Sequence, residues 1–168
     1  GSFGGGNGTA GNPYIITDVD DLQAMQNNLS ANYTLGNDID ASGTVGWNSG
    51  AGFVPIAKDT DPETNNFQGT PFTGSLDGRG FTIINLTVNR SAEDYIGLFG
   101  HLGAGASVTN VSLLHNDVTG RWYVGGYAGY NYGGSITNCS ATGNASGNHW
   151  VGGFAGRNDG GIITNCSA

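Results

Sequence analysis

Three eight-residue segments recur along the chain: YIGLFGHL at 95–102, YVGGYAGY at 123–130 and WVGGFAGR at 150–157. Aligned on its first residue, each segment places an aromatic residue, an aliphatic residue and a glycine in the same order. The fifth position is aromatic as well, which predicts a column containing Phe99 and Tyr127. Self-similarity at a fixed interval is typical of repeat proteins, so these segments decide the fold.

A second segment follows each of the first: VTNVS at 108–112, ITNCS at 136–140 and ITNCS at 163–167. A more diverged copy, FTIINLT, occupies 81–87, so that successive asparagines are 25, 28 and 27 residues apart. Stacked asparagine amides hydrogen-bond along the axis of a repeat fold, and asparagine tolerates the left-handed conformation at a bend. The alignment therefore predicts an asparagine ladder and a cysteine column: Asn85, Asn110, Asn138, Asn165, Cys139 and Cys166.

The repeat unit holds two or three short apolar runs separated by glycine or asparagine, and it lacks the periodicity and length of a helix. Such units predict an all-β fold, a right-handed parallel β-helix (β-solenoid) with about 25–28 residues per coil and coils stacked about 4.8 Å apart. A β-propeller would need blades of about 40 residues, which is longer than these units. The chain has 32 glycines in 168 residues, which also excludes a helical bundle.

The first 50 residues do not follow the repeat and predict an N-terminal cap at 1–50, made of a strand, a helix at 18–29 and a second strand. Asp18 is a good helix N-cap, and apolar residues line one face of this helix. An amphipathic helix of this kind covers the open end of a solenoid. The coils then occupy 51–168, with an inserted loop near 57–71 that we expect to lie outside the core and to be mobile or to hold a ligand.

Charge excludes several classes of partner. Five basic residues against 13 acidic ones give a net charge of −8. The basic residues are scattered, so the chain is not expected to bind nucleic acid or an anionic membrane surface. No apolar run reaches the ~20 residues of a membrane-spanning helix. The polar composition favours an extracellular or cell-surface location, and nine Asn-x-Ser/Thr sequons leave N-glycosylation open.

The sequence resembles bacterial and archaeal surface proteins that carry GLUG repeats. The motif Gly-Leu-hydrophobic-Gly stands at 97–100 as GLFG and in degenerate form at 125–129 and 152–156. The segments NPYII at 12–16 and FTGSLDGRG at 72–80 are similar to the lead-in of such proteins. The resemblance covers nearly the whole chain and implies a secreted or cell-surface β-solenoid, often an adhesin and in some proteins an accessory segment of a large peptidase. The zinc-peptidase motif His-Glu-x-x-His is absent from this sequence.

Aromatic residues are dense around two neighbouring repeats. Tyr130 and Tyr132 fall in the variable stretch after the motif, where exposure to solvent is expected. Tyr123 and Trp150 share the first repeat column, which favours a structural role for them. Because exposed aromatic faces stack on sugar rings, the sequence predicts a glycan-binding surface. Its candidate residues are Trp122, Tyr130, Tyr132 and Trp150.

The inserted loop also carries a candidate calcium site. Asp59, Asp61 and Glu63 alternate oxygen donors in the manner of a calcium-binding loop. The glycine and the terminal bidentate glutamate of an EF-hand are missing, so a solvated loop is the competing interpretation. No other cofactor is predicted.

The two cysteines occupy one repeat column. Cys139 and Cys166 take the position that Val111 occupies one repeat earlier. We expect two buried free thiols, as small apolar residues in a core column. A disulfide between adjacent coils, formed in an oxidising compartment, is the alternative.

Self-association is a further hypothesis. By the repeat alignment the last coil presents an apolar edge at Phe154 and Ile163, which templates further strands. Phe3, in the glycine-rich opening, could fill the open end of a neighbouring copy. Head-to-tail contacts of this kind propagate as a filament. Continuation of the natural protein beyond residue 168 is the alternative.

Catalytic signals are weak. No nucleophile–base pair or convergent carboxylates stand out, so an enzyme is not expected. The sequence predicts an extracellular structural or adhesive β-solenoid, part of a surface adhesin or stalk, or a self-assembling fibre subunit. A carbohydrate-binding module or a glycan-active enzyme on the same scaffold is the alternative. The expected partners are other copies of the chain, the rest of a longer surface protein, or surface glycans.

Overall fold

Short β-strands dominate the part of the chain that the structure describes, residues 3–168 of a computed structural model. The strands are β1 (Tyr14–Ile16), β2 (Asn32–Leu35), β3 (Ile39–Asp40), β4 (Ser75–Asp77), β5 (Thr82–Ile84), β6 (Thr87–Asn89), β7 (Phe99–Leu102), β8 (Ser107–Thr109), β9 (Ser112–Thr119), β10 (Trp122–Gly125), β11 (Ala128–Tyr132), β12 (Ser135–Thr137), β13 (Ser140–Ser146), β14 (His149–Gly152), β15 (Ala155–Asp159) and β16 (Ile162–Thr164). The helix α1 (Val19–Ala24) and two 3-10 helices, Met25–Asn27 and Ser42–Gly50, lie in the first third. Among residues 3–168, no helix is long and apolar enough to cross a membrane.

The strands form sheets that run along the stack of coils. The longest sheet has the order β1-β2-β4-β8-β12-β16. A second sheet has the order β13-β9-β5-β3, with β6 beside β9, and the third contains β15, β11 and β7. The strands β10 and β14 pair separately. Each of these strand pairs is parallel and joins one coil to the next, so the chain is a parallel β-solenoid, which confirms the predicted fold class.

Each coil contributes an apolar side chain to a central column. Tyr33 pairs with Leu76, Leu76 with Val108, and Val108 with Ile136. All four are at most 1% exposed. Removing this apolar surface from water stabilises the fold by about 25 cal/mol per Å². Stacking of coils, rather than packing of two layers, therefore builds the core.

Coil length is regular only in the later part of the chain. Ser112 and Ser140 are register partners 28 positions apart, and Asn131 and Asn158 are partners 27 positions apart. Earlier in the chain, strand β2 lies beside β4 with a separation of 43 positions. That coil is longer because it contains both the 3-10 helix Ser42–Gly50 and the insertion 57–71.

The N-terminal region is part of the solenoid as well as its cover. As predicted, Asp18 caps α1, since its carboxylate accepts a 2.8 Å hydrogen bond from the backbone N–H of Asp21. The helix ends at Ala24 instead of residue 29. Leu22 and Met25 have no exposed area and cover the core. Because β1 and β2 pair within the longest sheet, the predicted boundary between cap and coils at residue 50 is not a structural boundary, and residues 1 and 2 of the predicted cap lie outside the described part.

The predicted asparagine ladder needs correction. Asn138 donates a 3.4 Å amide hydrogen bond to Asn110, and both residues take the left-handed conformation. Asn85 belongs to a different column, because the register of β5 on β9 places it beside His115. The earlier partner of Asn110 is Asp77, which accepts its amide at 3.3 Å. The ladder is exposed at a corner of the coil, so its sequons lie on the surface and not in the core.

The predicted aromatic column is also one position out at its first member. Tyr127 and Phe154 stack with ring centroids 5.2 Å apart, as expected. Phe99 pairs instead with Ala128 and packs on Phe72 at 4.8 Å. The first motif copy has one residue fewer between its aromatic corner and strand β7, so its leucine takes the position of Tyr127.

The cysteines stack as predicted, and the structure contains both as free thiols. The Cys139 thiol donates to the Val108 carbonyl at 3.7 Å, and the Cys166 thiol to the Ile136 carbonyl at 3.5 Å. Cys139 is buried and Cys166 is half-buried. Burial raises the pKa of Cys139 to about 11, which keeps this thiol protonated and unreactive at neutral pH.

The residues predicted to join neighbouring copies differ in their availability. Phe3 stacks on Tyr14 of its own chain at 4.6 Å, so it is already packed and does not project towards another copy. Phe154 and Ile163 lie on the last coil, where both are half-buried. All three residues are half-buried, but Phe3 already packs on aromatic rings of its own chain.

Candidate ligand-binding groove

A row of aromatic residues occupies one corner of successive coils. Tyr95, Tyr123 and Trp150 all have left-handed backbone conformations, with φ of 60°, 57° and 58°. Their rings stack nearly parallel, with centroids 4.7 Å and then 5.9 Å apart. Bulky residues rarely adopt positive φ, and such backbone strain concentrates at functional sites. We call these three residues the corner row.

Glycines of the repeated motif make this corner possible. A Cβ at Gly129 would lie 2.6 Å from the carbonyl oxygen of Tyr123, and one at Gly156 would lie 2.4 Å from that of Trp150. Only glycine permits this approach of two backbone segments. The last glycine of each motif copy is therefore required by the backbone geometry of the corner row.

A second row stands on the outer face of the third sheet. Tyr130 of β11 is in register with His101 of β7 and with Arg157 of β15. The Arg157 guanidinium lies over the rings of Tyr130 and Trp150, 5.4 Å and 5.3 Å from their centroids. The Tyr130 hydroxyl donates to Asp159 at 3.1 Å. We call His101, Tyr130 and Arg157 the strand row.

The insertion 57–71 interrupts the coil that precedes both rows. Ile56 bridges to Phe99, and Phe72 bridges to Leu102, in parallel fashion. Two residues separate Phe99 from Leu102, whereas the whole insertion separates Ile56 from Phe72. Ile56 and Phe72 therefore flank β7 as the two halves of an interrupted strand, and the insertion is the loop between these halves.

The insertion folds back over the first members of both rows. The Phe67 ring meets His101 edge-on at 4.4 Å and Tyr95 at 5.2 Å. The Tyr95 hydroxyl donates to the carbonyl oxygen of Asn65 at 3.2 Å. Phe67 is therefore held against the beginning of the corner row and of the strand row.

A buried ion pair holds the insertion from the other side. Arg121 binds Asp94 through two hydrogen bonds of 2.9 Å and 3.0 Å, and Asp94 is 2% exposed. The same guanidinium donates to the carbonyl oxygen of Pro62 at 2.6 Å. These contacts attach the insertion to the coils, which argues against the predicted mobility; its predicted role in holding a ligand stays a prediction.

The two rows and the insertion enclose a groove of about 320 Å³. Its lining is mostly aromatic: Asn65, Asn66, Phe67, Tyr95, His101, Tyr123, Tyr130, Tyr132 and Arg157. Burial lowers the pKa of His101, so its imidazole is neutral at neutral pH, and its Nδ1 is buried without a hydrogen-bond partner. Burial raises the pKa of Tyr130, which keeps its hydroxyl protonated. The groove therefore offers ring surfaces, hydroxyl groups and amides to a ligand.

The predicted glycan-binding residues are partly brought together. Tyr130 and Tyr132 line the groove, and Tyr132 is 55% exposed. Trp150 is not a lining residue; it is 51% exposed in the corner row, where its ring lies under the guanidinium of the lining residue Arg157. Trp122 lies next to the corner row and packs edge-on against His149 at 4.8 Å, outside the groove lining.

Sequence reasoning missed His101, Arg157 and Phe67 as members of this groove. The sequence contained a signal for His101 and Arg157, because each directly follows the last glycine of a motif copy, as Tyr130 does. Phe67 carries no repeat signal, since it lies in the insertion.

The predicted calcium ligands do not form a site. Asp59 is 3% exposed, and one of its oxygens accepts the backbone N–H of Gln68 at 2.8 Å. Burial raises the pKa of Asp59, which disfavours a charged ligand. The Asp61 carboxylate accepts the N–H of Glu63 at 3.0 Å. Across the described residues, no group of three or more His, Cys, Asp or Glu side chains is placed to hold a metal ion.

The stacked parallel coils with repeated glycine motifs define a β-solenoid repeat protein. Residues 120–146 and 147–168 match the family model described as "The GLUG motif". The last two coils of this β-solenoid therefore match the GLUG motif, in agreement with the resemblance noted in the sequence.

Named relatives are much longer than this chain. It is 45% identical to halomucin of Haloquadratum walsbyi over 148 residues, which cover 85% of this chain and 2% of halomucin. It is 34% identical over 136 residues to a candidate Gly-rich membrane protein of Evansella cellulosilytica, covering 78% of this chain and 15% of that protein. The crystal structure of a candidate immunoglobulin A1 protease from Bacteroides ovatus superposes with a TM-score of 0.63 at 23% identity, over 98% of this chain and 59% of that one. The last likeness shows the fold alone.

Proposed function

We propose that this chain is a non-catalytic repeat domain of a longer cell-surface protein and that it serves an adhesive role through the groove. The surface location is supported by the similarity to halomucin and to a Gly-rich membrane protein. The small fractions of those proteins that it covers are consistent with a repeat domain within a larger whole.

The observation that carries the adhesive role is the exposed aromatic rim of the groove. Tyr132 and Trp150 are each more than half exposed, although large aromatic side chains lose favourable burial in such positions. Asn65, Asn66 and Arg157 add polar groups to the same lining. Flat apolar rings with interspersed hydrogen-bonding groups suit a carbohydrate, whose faces are apolar and whose edges carry hydroxyls.

The same geometry argues against a glycan-cleaving enzyme. Glycoside hydrolysis uses a pair of carboxylates on either side of the scissile bond. Among the described residues that line the groove, none is a carboxylate. The nearby Asp159 is engaged by Tyr130 and by Arg157, the latter at 3.4 Å.

A purely structural role, including head-to-tail assembly through Phe154 and Ile163, is the competing function. It requires no ligand and predicts concentration-dependent association. Sedimentation velocity at tens of micromolar separates the two: assembled species support the fibre, and a monomer removes it.

Titration calorimetry with linear cello-, manno- and chito-oligosaccharides tests the adhesive function. We expect binding by the native chain and about fivefold weaker binding for each of Tyr132→Ala and Trp150→Ala, because each loses a ring contact of about 1 kcal/mol. Leu114→Ala is the matched control, since Leu114 is 37% exposed outside the groove. Absence of binding to all three series by the folded native chain would overturn the adhesive role.

A further inference from the structure

The groove has two different ends. At one end, Phe67 packs on His101 and Tyr95, which are the first members of the strand row and of the corner row. The last described members of the rows are Arg157 and Trp150, which is 51% exposed. In the coil before His101, the insertion takes the position where a further row member would lie. The first end is therefore walled by the insertion, and along the described coils no comparable segment crosses the other end, which we call the open end.

Hydrogen bonds hold the insertion, which forms this wall, in a defined position. Its carbonyl oxygens at Asn65 and Pro62 accept hydrogen bonds from Tyr95 and Arg121. Inside the insertion, the Thr60 hydroxyl and backbone N–H both donate to the carbonyl oxygen of Gln68. These contacts tie the two sides of the insertion to each other and to two later coils.

Three coils of the described chain contribute members to the two rows. Each row has three members on successive coils about 4.8 Å apart, so the rows span about 10 Å. This length matches about two sugar rings. A longer chain must leave through the open end, because the insertion blocks the continuation at the other.

The charges around the groove favour an uncharged glycan over a polyanionic one. Arg157 is the only charged residue among the described lining residues, and it is paired with Asp159 at 3.4 Å. Arg121, behind the wall, is paired with Asp94. The chain as a whole carries a net charge of −8, so its field repels polyanionic glycans.

We infer that the groove binds the terminal units of a neutral glycan chain, with the chain end against Phe67 and the rest of the glycan leaving past Trp150. The inference rests on the proposed adhesive function. It adds that the site reads chain ends, whereas an open groove would bind any internal stretch.

Binding stoichiometry as a function of glycan length tests this inference. For an end-reading site, the number of protein molecules bound per glycan chain stays at one as a linear neutral oligosaccharide is lengthened from a trimer to a polymer. For a site that takes internal stretches, this number rises with chain length. Sedimentation equilibrium with a fluorescently labelled series of each glycan measures it directly.

Two variants should convert a stoichiometry of one protein per glycan into a stoichiometry that rises with glycan length. Phe67→Ala removes the ring of the wall, and Gln68→Ala, which truncates an exposed side chain in the same insertion, is its control. The second variant replaces residues 57–71 with Gly-Ser, which copies the two-residue connection between Phe99 and Leu102 in the next coil. We expect length-dependent stoichiometry for both, and no change for the control. An oligogalacturonate of equal length should bind the native chain about tenfold more weakly than the neutral series.

The outcomes separate the inference from the function on which it rests. Length-dependent stoichiometry in the native chain overturns the chain-end inference and leaves the adhesive function standing. Failure of every glycan to bind overturns both. If the shortened variant does not fold, the native chain and Phe67→Ala still decide between the two kinds of site.

Discussion

The first and last parts of the solenoid solve the same packing problem in different ways. Residues 3–77 use coils of unequal length, a helix and an insertion, and they share little sequence similarity with one another. Residues 95–168 use one motif with register separations of 27 to 29. Yet strands of both parts lie in a single six-stranded sheet.

The difference between the two regions lies in what each surface can do. In the irregular part, Leu22 and Met25 are fully buried and cover the core. In the last coil, Val151 is 42% exposed and Ile162 is 59% exposed. Irregular coils close a surface, because each can place a different side chain where it is needed. Regular coils repeat a surface, because identical backbones place equivalent side chains in rows.

The largest expected contrast concerns glycine. Gly129→Ala in the regular part would place a Cβ 2.6 Å from backbone atoms of Ile96 and Tyr123, and we expect a loss of about 3 kcal/mol in the free energy of unfolding. Gly46→Ala in the irregular part meets no atom within 4 Å and should change stability by less than about 0.5 kcal/mol. Urea denaturation followed by circular dichroism measures both. Equal effects would mean that the motif glycines are not required by close backbone approach.

The second contrast concerns the two ends of the core. Leu22→Ala removes a fully buried side chain and should cost about 3 kcal/mol. Ile163→Ala removes a half-buried side chain from the last coil and should cost about 1 kcal/mol, because less apolar area returns to water. Thermal and urea unfolding of both variants check this order. A larger loss for Ile163→Ala would show that the last coil is covered in solution, for example by another copy.

A third prediction tests how the insertion is attached to the regular part. Arg121→Gln removes the hydrogen bond to Pro62 and the pairing with Asp94. We expect cleavage within residues 59–67 to become several times faster in limited proteolysis, because local opening of the insertion is easier. Arg79→Gln, at an exposed turn, is the control and should be cleaved at the native rate. Unchanged cleavage in Arg121→Gln would contradict the role assigned to this guanidinium.

The smallest expected effect is a difference in thiol reactivity between two neighbouring coils of the regular part. At pH 8, iodoacetamide should modify Cys166 before Cys139, because Cys139 is buried with its pKa raised to about 11. Peptide mass spectrometry over time gives the two rates. Intact mass should not change on reduction. An increase of two daltons would demonstrate a disulfide and contradict the free thiols.

Sequence reasoning succeeded where coil length is constant. The separation of 27 residues placed Tyr123 beside Trp150 and Cys139 beside Cys166, and both pairs stack in the structure. It failed where coil length changes. Asn85 looks like Asn110 in its local sequence but lies beside His115, since one residue type at one bend does not determine how many residues the coil contains.

The part of the groove formed by the repeated motif could be predicted from the sequence, and the part formed by the insertion could not. Exposure was expected for Tyr130 and Tyr132, because both follow a repeated motif. Tyr132 is exposed, whereas Tyr130 is half-buried beneath Arg157. The wall could not be predicted, because Ile56 and Phe72 bracket the insertion only through their bridges to Phe99 and Leu102. Such long-range pairings are set by the neighbouring coil and leave no local pattern in the insertion itself.

Each row contains one side chain per coil, which has a consequence for how such a surface changes. Gain or loss of a whole repeat alters the rows by whole steps of about 4.8 Å, and every subsite already present keeps its backbone and its register. The capacity of the groove is thus a count, set by the number of motif copies. Its starting point is set once, by the insertion that holds Phe67 against His101.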